Sequence, residues 1–570
     1  MLCRDRAAFC AREDYTMCRP FARLFSDRFA TTSFAVITLA SVLIAAGDSA
    51  PGLETIRADA LKGHIFFLAS DAMSGRDSMS HESRIAADYI AGFFYRAGLK
   101  PAGDNNTFFQ NFPMVDAHID RENTRLGSRV VSKTGGNLDR DYANGPDFSL
   151  PRQGNVDVTV SAPLVFAGYG VTAPEYDYDD FKGVDVTGKA IMVLTHEPQE
   201  TDPASRFKGA WNTVHAYNWW KPEVARRHGA AAMLIVQDRV THRPPRAASG
   251  PTNGQIRTDR GQHTLTSPFW DIPVFTITRR VADDLLAPAG RTIDELQDAI
   301  DRAGTPRSMA VPGVSVDLRR AIKDRQVIQT RNVVGVVEGS DPALRNEYVL
   351  VTGHYDHVGQ KDQFIFHGAD DNASACAAVI AMAEALTATK ERPKRSVMFL
   401  VFEAEEDGLL GAFHYVDHPV VPLDRTVAVL NMDMIGRDED SPTWNTHAAE
   451  NRNGVNVVGT LYNPDLRTII EAENQRIGLT LDYKTDKDDR EGWFSRSDHY
   501  PFAIKSVPMV LFNTGEHPDY HTADDTWDRI NYPKIEKITR LVYLSAWNLA
   551  NAATRPRFVR GNAPVPSSNP

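Results

Sequence analysis

Four apolar segments in the second half of the chain are each followed by side chains that can bind metal ions. These side chains are His354, Asp356 and His357 after EYVLVTG, Glu403, Glu405, Glu406 and Asp407 after SVMFLVF, Asp433 after TVAVLN, and Glu516, His517, Asp519 and His521 after VPMVLFNTG. One such group alone is usually a helix cap or a solvated loop residue. Four groups at consecutive strand ends would crowd negative charge around one crevice, and a bound cation relieves that repulsion. The pattern therefore predicts a metal site.

A fifth acidic stretch, GADDNAS, stands where an apolar helix is expected to begin. Asp370 and Asp371 are adjacent, and Asn372 follows them. Adjacent carboxylates repel each other, and burying either one without a partner costs free energy. The acids could cap the helix, because its first N–H groups and its dipole favour negative charge. Alternatively, they could hold a cation between them.

The donors available for a metal ion are imidazoles and carboxylates, with no thiolate among them. This set suits zinc, with manganese and cobalt as alternatives. Calcium prefers ligands that are all oxygen, so the histidines argue against it. With five ligands drawn from these side chains, one carboxylate could bridge two ions about 3.5–4 Å apart, as in two-metal hydrolytic sites.

The elements that must position these groups alternate between strands and helices after Pro306. Strands are predicted near 332–339, 347–357, 396–406, 426–436 and 507–515, and helices near 373–389, 464–476 and 533–552. Continuous apolar strands are typical of a buried parallel sheet, and ligands collect at the carboxyl ends of its strands. We therefore expect an α/β fold with a mixed, largely parallel sheet flanked by helices.

The N-terminal region predicts a secretory signal. Residues 1–50 include the uncharged stretch TTSFAVITLASVLIAAG behind three arginines, a pattern typical of a signal peptide, and Met17 is a candidate for the true start. If the stretch stays uncleaved, it would act as a membrane anchor instead.

The rest of the 570-residue chain is long enough for two or three domains. Residues 51–155 contain two helical patterns, and residues 156–300 alternate short β-rich segments with turns, with a long loop expected at 241–268. Residues 306–555 carry the motifs described above, and 556–570 are expected to be a disordered tail. The formal net charge of −11 argues against nucleic acid as a partner.

The order of five motifs, HYDH, GADDNAS, FEAEEDGLLG, NMDMIG and YHT, resembles the M28 family of zinc metallopeptidases, which includes aminopeptidases and glutamate carboxypeptidases. LKGHIFFLASDAMSGRD is similar to the opening segment of its secreted aminopeptidases. VFAGYGVTAPEYDYDDFKGVDVTGKAIMV is similar to the protease-associated (PA) domain often inserted there. The resemblance covers about residues 53–555 and implies a zinc-exopeptidase fold with a small β-rich PA domain.

The resemblance also implies a ligand set for two zinc ions. His354 and Asp433 would be the terminal ligands of one ion, Glu406 and His521 those of the other, and Asp370 would bridge the two. A cis peptide bond would join Asp370 to Asp371.

Three further residues receive roles from the same resemblance. Glu405 would be the general base, Asp356 would orient the ligand imidazole, and Tyr520 would stabilise the substrate carbonyl oxygen. Because strand neighbours point in opposite directions, Glu405 and the ligand beside it can act together only if this stretch is irregular.

The function implied is that of a secreted or periplasmic two-zinc exopeptidase, foremost an aminopeptidase that releases N-terminal residues of peptides by attack of metal-bound hydroxide. A carboxypeptidase or dipeptidase on the same metal centre is the alternative. An acid would bind a substrate ammonium and a cation would bind a carboxylate; the candidates are Glu403, Asp407 and Glu516, and Arg437 and Arg496. A non-catalytic, receptor-like relative would have lost ligands and base, which this chain keeps.

Overall fold

The computed structural model describes residues 50–131, 136–150, 156–202, 204–207, 213–239, 262–266, 271–487, 489 and 492–559. The predicted signal region lies outside the described residues except for Ala50, and so does the predicted tail beyond residue 559. Across the described part of the chain, no helix combines the length and the apolar character needed to cross a membrane.

The larger of the two main sheets has ten strands and carries the motif residues. In spatial order the strands are β11 (Gln262–Leu265), β2 (Phe109–Ile119), β14 (Ile322–Val337), β18 (Ser396–Phe402), β15 (Tyr348–His354), β19 (Thr426–Met432), β22 (Met509–Asn513), β20 (Gly454–Val458) and β21 (Thr480–Asp482), with β1 (Lys100–Pro101) paired to β14. The four central strands β18, β15, β19 and β22 run parallel, and β14 and β20 flank them antiparallel. The predicted mixed sheet is confirmed, but it is not largely parallel, because the pairings among β1, β11, β2, β14 and β18 on one side and of β20 with β22 on the other are antiparallel.

Ten helices of the described residues surround the two sheets. They are α1 (Ala58–Leu68), α2 (His81–Ala97), α3 (Lys221–Arg227), α4 (Arg279–Leu286), α5 (Ile293–Ala303), α6 (Ala375–Thr387), α7 (Leu410–Asp417), α8 (Pro464–Ile477), α9 (Tyr500–Ile504) and α10 (Tyr532–Asn551). Helices α1, α2, α6 and α10 cover one face of the larger sheet, where Val351 and Phe399 of the sheet join Ile380 and Leu541 in one hydrophobic cluster. The burial of these side chains is the main force that fixes the helices against the sheet.

The second sheet has eight strands and belongs to the region of the predicted insert. Its spatial order is β4 (Asn137–Tyr142), β3 (Arg125–Val131), β13 (Met309–Arg320), β6 (Val158–Phe166), β9 (Ala190–Leu194), β10 (Ala232–Val236), β12 (Val274–Ile277) and β5 (Phe148–Ser149). Two short hairpins pair β7 (Thr172–Ala173) with β8 (Tyr178–Asp179) and β16 (Gln360–Lys361) with β17 (Phe364–Ile365). Strands on both sides of the predicted boundaries 156–300 therefore contribute to this sheet, and the boundaries stay a prediction.

The insert region contacts helices α7 and α9, where Trp219 packs edge-on against Phe413 and Tyr500. Leu350 and Met398 of the larger sheet share a hydrophobic cluster with Trp220 and Ile235 of the insert region. The expected long loop at 241–268 lies mostly outside the described residues, but its residues Gln262–Leu265 form β11, which pairs antiparallel with β2. The insert region thus supplies an edge strand to the sheet that carries the motifs.

Candidate metal centre

The motif residues meet because the central strands run parallel and end at the same edge of the sheet. His354 is the last residue of β15, Asp433 directly follows β19, and Glu405 and Glu406 follow β18 by three and four residues. Strands β18 and β19 lie on either side of β15, in parallel register with it. The topology therefore gathers these four side chains at the carboxyl edge of the sheet, where α/β folds bind ligands.

A first cluster of donor atoms surrounds His354. Its Nε2 lies 3.4 Å from Asp371 Oδ1, 3.4 Å from Asp433 Oδ1 and 3.8 Å from Glu405 Oε2. All four side chains are buried. His354 Nε2 and Asp433 Oδ1 have no hydrogen-bond partner among the described residues.

A second cluster surrounds Glu406. Its Oε1 lies 2.9 Å from His521 Nε2 and 2.9 Å from His357 Nδ1. Asp371 Oδ2 lies 2.8 Å from His521 Nε2 and 3.6 Å from His357 Nδ1. Asp371 is thus common to both clusters, with one carboxylate oxygen in each.

Asp371 is the aspartate shared by the two clusters, whereas the prediction from the sequence placed Asp370 in the shared position. The Asp370 carboxylate turns away, with Oδ1 accepting from the Gly436 N–H at 2.6 Å, and it joins neither cluster. The cis peptide bond joins Asp371 to Asn372, one residue after the predicted bond between Asp370 and Asp371. The backbone here is an irregular turn, Ala369–Ser374, in which side-chain directions follow no fixed period.

His357 belongs to the second cluster, although no role is predicted for it from the sequence. It follows His354 by three residues in HYDH, just after the strand has ended. Its Nε2 is buried without a hydrogen-bond partner in the described part of the chain, and its Nδ1 lies 2.9 Å from Glu406 Oε1. A second imidazole in one strand-end motif was the signal that could have indicated it.

The segment after β18 is irregular, as the adjacency of Glu405 and Glu406 predicted. Ala404 has a left-handed φ of 58°, and Leu409 one of 62°. The backbone N–H of Glu405 donates to Asp356 Oδ1 at 3.1 Å, and that of Glu406 donates to Asp356 Oδ2 at 3.2 Å. Asp356 therefore fixes the loop that carries both glutamates.

Contact between Asp356 and the His354 imidazole is made mainly by the backbone. His354 Nδ1 lies 3.2 Å from the Asp356 carbonyl oxygen and 3.6 Å from its carboxylate Oδ1. The carbonyl oxygen can accept a hydrogen bond from Nδ1–H, which leaves Nε2 with its lone pair directed at the first cluster.

The first cluster has the dimensions of a metal site. Bonds of 2.0–2.1 Å in tetrahedral geometry place neighbouring ligand atoms about 3.3 Å apart. The two distances of 3.4 Å from His354 Nε2 to Asp371 and Asp433 match this value. In the second cluster the distances of 2.8–3.6 Å bracket it. Imidazole and carboxylate donors of these two clusters could therefore hold one divalent ion each.

The buried carboxylates of the first cluster favour positive charge nearby. Burial lowers the pKa of the His354 imidazole, but the carboxylates of Glu405 and Asp433 outweigh it, so the pKa lies well above its ordinary value. Burial raises the pKa of Glu405 well above its ordinary value, although His354 opposes the shift. Both shifts favour the binding of protons at this cluster, and divalent ions would provide the same compensation of negative charge.

Tyr520 lies directly beside the second cluster. Its ring stacks on that of His521, with the centroids 3.8 Å apart. Arg496 Nη2 donates to the Tyr520 hydroxyl at 3.3 Å, and Arg496 Nη1 donates to Glu516 Oε1 at 3.1 Å. A phenol, a guanidinium and a carboxylate thus form a connected polar group next to the metal donors.

The other acids and cations considered for substrate binding are engaged elsewhere. Glu403 is buried and accepts from the Met79 N–H at 2.7 Å, and burial raises its pKa to about 8. Asp407 Oδ2 lies 2.7 Å from His263 Nδ1, and Arg437 donates to Asp519 at 2.6 Å.

A third group of metal-binding side chains, His196, Glu200 and Asp238, lies in the insert region. The ammonium of Lys221 donates to the His196 carbonyl oxygen at 2.6 Å and so brings a cation to the same place. The two acids therefore have positive charge beside them without a metal ion.

The segment that carries the clusters is similar to known peptidases. Residues 332–546 match the model of peptidase family M28. The chain is 26% identical over 238 residues to Aminopeptidase YwaD of Bacillus subtilis (strain 168), covering 40% of this chain and 47% of that protein. It is 24% identical over 269 residues to the probable glutamate carboxypeptidase AMP1 of Arabidopsis thaliana, covering 46% of this chain and 36% of that protein. The chain thus spans less than half the length of these curated relatives.

Among solved structures, an aminopeptidase from Aneurinibacillus sp. strain AM-1 is 18% identical with a TM-score of 0.49, covering 89% of this chain and 96% of that one. All seven residues of the two clusters fall within the residues matched by the family model. The segment that carries both clusters is thus similar to peptidase family M28.

Proposed function

We propose that the chain is a two-zinc exopeptidase, foremost an aminopeptidase that hydrolyses the first peptide bond of its substrates. The observation that carries this proposal is the pair of buried donor clusters joined by Asp371, whose Oδ1 lies 3.4 Å from His354 and whose Oδ2 lies 2.8 Å from His521. Paired metal ions bridged by one carboxylate are typical of hydrolytic sites.

The ligands assigned to the zinc ions are His354 and Asp433 on one side, Glu406 and His521 on the other, and Asp371 between them. His357 is a further candidate ligand on the Glu406 side, because its Nδ1 lies 2.9 Å from Glu406 Oε1. Zinc ions held there would supply Lewis-acid activation of water and of the scissile carbonyl.

Glu405 is assigned as the general base. Its carboxylate lies at the edge of the first cluster, 3.8 Å from His354 Nε2, and its backbone is held by Asp356. From this position it would take a proton from the attacking water and pass it to the nitrogen of the leaving amine. Tyr520 is assigned to donate a hydrogen bond to the carbonyl oxygen as negative charge develops there.

An aminopeptidase is favoured over a carboxypeptidase because positive charge next to the site is already compensated. Arg496 is bound by Glu516 at 3.1 Å and Arg437 by Asp519 at 2.6 Å. Several relatives are named aminopeptidases. The second candidate, a carboxypeptidase or dipeptidase, is favoured by the position of Arg496 one ring away from His521 and by the relatives named glutamate carboxypeptidase.

A substrate panel separates the candidates. The zinc-loaded protein is assayed on aminoacyl anilides, on N-acetylated anilides, and on dipeptides with a free or an amidated C-terminus, before and after treatment with a chelator. An aminopeptidase cleaves the free aminoacyl anilides and the amidated dipeptides, and it loses activity with the chelator. Cleavage restricted to free C-termini would favour the carboxypeptidase, and no zinc-dependent cleavage of any peptide would favour the receptor-like relative.

We also propose that the protein acts on peptides outside the cytoplasm, secreted or in the periplasm, and that residues 156–300 form a PA domain. The first proposal rests on the sequence pattern of residues 1–50, and the second on the separate sheet to which residues 156–300 contribute β6, β9, β10 and β12. Sequencing the N-terminus of the mature protein tests the signal, because an intact residue 1 or 17 would contradict cleavage.

A further inference from the structure

The strand β11 reaches from the insert region to the loop that carries Glu405. It pairs antiparallel with β2 at the edge of the larger sheet, with His263 opposite Asp116 and Leu265 opposite Met114. In the sheet, β2 is followed by β14 and then by β18. Strand β18 leads directly into residues 403–409, the loop that carries Glu405 and Glu406 and is called the glutamate loop below.

His263 connects this edge strand to the glutamate loop. Its Nδ1 lies 2.7 Å from Oδ2 of Asp407, the residue that follows Glu406, and its Nε2 lies 3.6 Å from Asp116 Oδ1. The side chains of His263 and Asp407 are only 8% and 7% exposed. A hydrogen bond between an imidazole and a carboxylate at this depth is little weakened by solvent.

Apolar packing holds the same loop at both of its ends. Leu265 of β11 shares a small buried cluster with Ala404, which precedes Glu405, and with Leu410, which begins α7. Ala404 and Leu409 both have left-handed backbone conformations, which residues other than glycine keep only where their surroundings enforce them. The loop therefore needs external contacts to keep its shape.

Both regions of the chain contact this loop. Asp356 accepts the N–H groups of Glu405 and Glu406 from within the catalytic region. His263 and Leu265 hold Asp407 and Ala404 from the insert region. The loop is therefore bound both by Asp356 and by residues of β11.

We propose that His263 is a positioning residue for the general base Glu405, acting through Asp407. The proposal rests on the function assigned to Glu405 above. It gives the insert region a part in catalysis that needs no contact with the substrate, because the insert fixes the loop from which the base acts.

The test compares variants of the full-length, zinc-loaded protein. His263→Ala is expected to lower kcat on an aminoacyl anilide by about tenfold to a hundredfold, with KM changed less than twofold, because displacing a catalytic group costs rate more than binding. His263→Asn, whose side-chain amide can place an N–H donor near the position of Nδ1, is expected to recover most of the loss. In an Asp407→Ala background, His263→Ala should cause little further loss, since the two side chains act as one unit.

The matched control is His118→Ala. His118 lies on β2 next to the same Asp116, with Nε2 3.9 Å from Oδ1, and its side chain is 40% exposed. We expect this variant to retain the kcat of the parent protein. An equal fall in kcat for His118→Ala and His263→Ala would overturn the proposal.

A second readout does not depend on activity. Hydrogen–deuterium exchange of residues 403–411 is measured after the metal is removed by a chelator, and His263→Ala is expected to accelerate exchange there without affecting β15. Unchanged exchange and unchanged kcat in a folded His263→Ala variant would overturn the proposal. If His263→Ala does not fold, Asp407→Ala is compared with the parent protein on the same two readouts, and unchanged exchange and unchanged kcat in a folded Asp407→Ala variant would overturn the proposal.

Failure of this inference is distinguishable from failure of the proposed function. A parent protein without zinc-dependent peptidase activity would refute the proposed function, whereas the exchange measurement still reports on the loop. An active parent whose kcat and loop exchange are insensitive to His263→Ala would refute the positioning role alone.

Discussion

Glu405 and Glu406 are consecutive residues, yet their carboxylates lie in different donor clusters. Glu405 Oε2 is 3.8 Å from His354 Nε2, whereas Glu406 Oε1 is 2.9 Å from His521 Nε2. The left-handed turn at Ala404 and the two N–H groups bound by Asp356 produce this separation. Two adjacent side chains can thereby serve one site in two capacities.

The two glutamates should respond differently to loss of charge. Glu405→Gln is expected to lower kcat by about 10²–10⁴-fold and to leave the zinc content unchanged, because it removes a proton acceptor. Glu406→Gln is expected to lower the zinc content, because an amide is a much weaker ligand than a carboxylate. Enzyme kinetics and metal analysis after dialysis measure both effects. Equal loss of zinc in the two variants would mean that Glu405 is itself a ligand.

The register of the bridging aspartate is tested by a matched pair of neighbours. Asp371→Asn is expected to reduce the zinc bound per chain to below two, because one of the two shared oxygens becomes an amide nitrogen. Asp370→Asn is the control, since its side chain binds the Gly436 N–H and lies outside both clusters. It should retain the parent stoichiometry in metal analysis. A larger loss of zinc from Asp370→Asn would restore Asp370 as the bridge.

Much of the central sheet could be predicted because buried parallel strands are continuously apolar. The stretches at 396–406 and 426–436 contain the observed strands Ser396–Phe402 and Thr426–Met432, and the polar residues at their ends are where the donors gather. The helix expected at 464–476 is observed at Pro464–Ile477, with a Pro in its first turn and Gly478 at its end.

The outer strands and the fine register of the site could not be predicted in the same way. The strand Phe109–Ile119 mixes polar residues and a proline with apolar ones, since it lies near the sheet edge, and it gave no periodic signal. The choice between Asp370 and Asp371 depends on an irregular turn, and β11 depends on pairing with a strand about 150 residues away. Long-range contacts and irregular backbone leave no local pattern.

The polarity of substrate attack can be examined at Arg496. Because Glu516 already binds its guanidinium, Arg496→Gln is expected to change the ratio of kcat/KM for amidated and free dipeptides by no more than about threefold, less than the loss of a charge-assisted bond would cause. Arg437→Gln is the control, because Arg437 is bound to Asp519. A selective fall of tenfold or more on free dipeptides for Arg496→Gln alone would indicate that Arg496 binds a substrate carboxylate.

The buried histidine of α1 should make stability depend on pH. His64 lies 3.1 Å from the Tyr89 hydroxyl and packs edge-on against Phe93, and burial lowers its pKa to about 4. The unfolded chain, with an ordinary imidazole pKa of about 6.5, binds more protons than the folded protein between these two values. The free energy of unfolding should therefore fall as the pH is lowered from about 6.5 to about 4, by a total on the order of 3 kcal/mol.

This dependence is measured by urea unfolding at several pH values between 7.5 and 4.5. His64→Leu keeps an apolar side chain against Phe93 and cannot titrate, so the difference in unfolding free energy between variant and parent should shift in favour of the variant as the pH falls. His447→Gln is the control, because the His447 side chain is 64% exposed and its replacement should leave the slope unchanged. If the unfolding free energies of the parent and of His64→Leu changed equally with pH, the prediction would be wrong. His64 would then not be a cause of the lower stability at acidic pH.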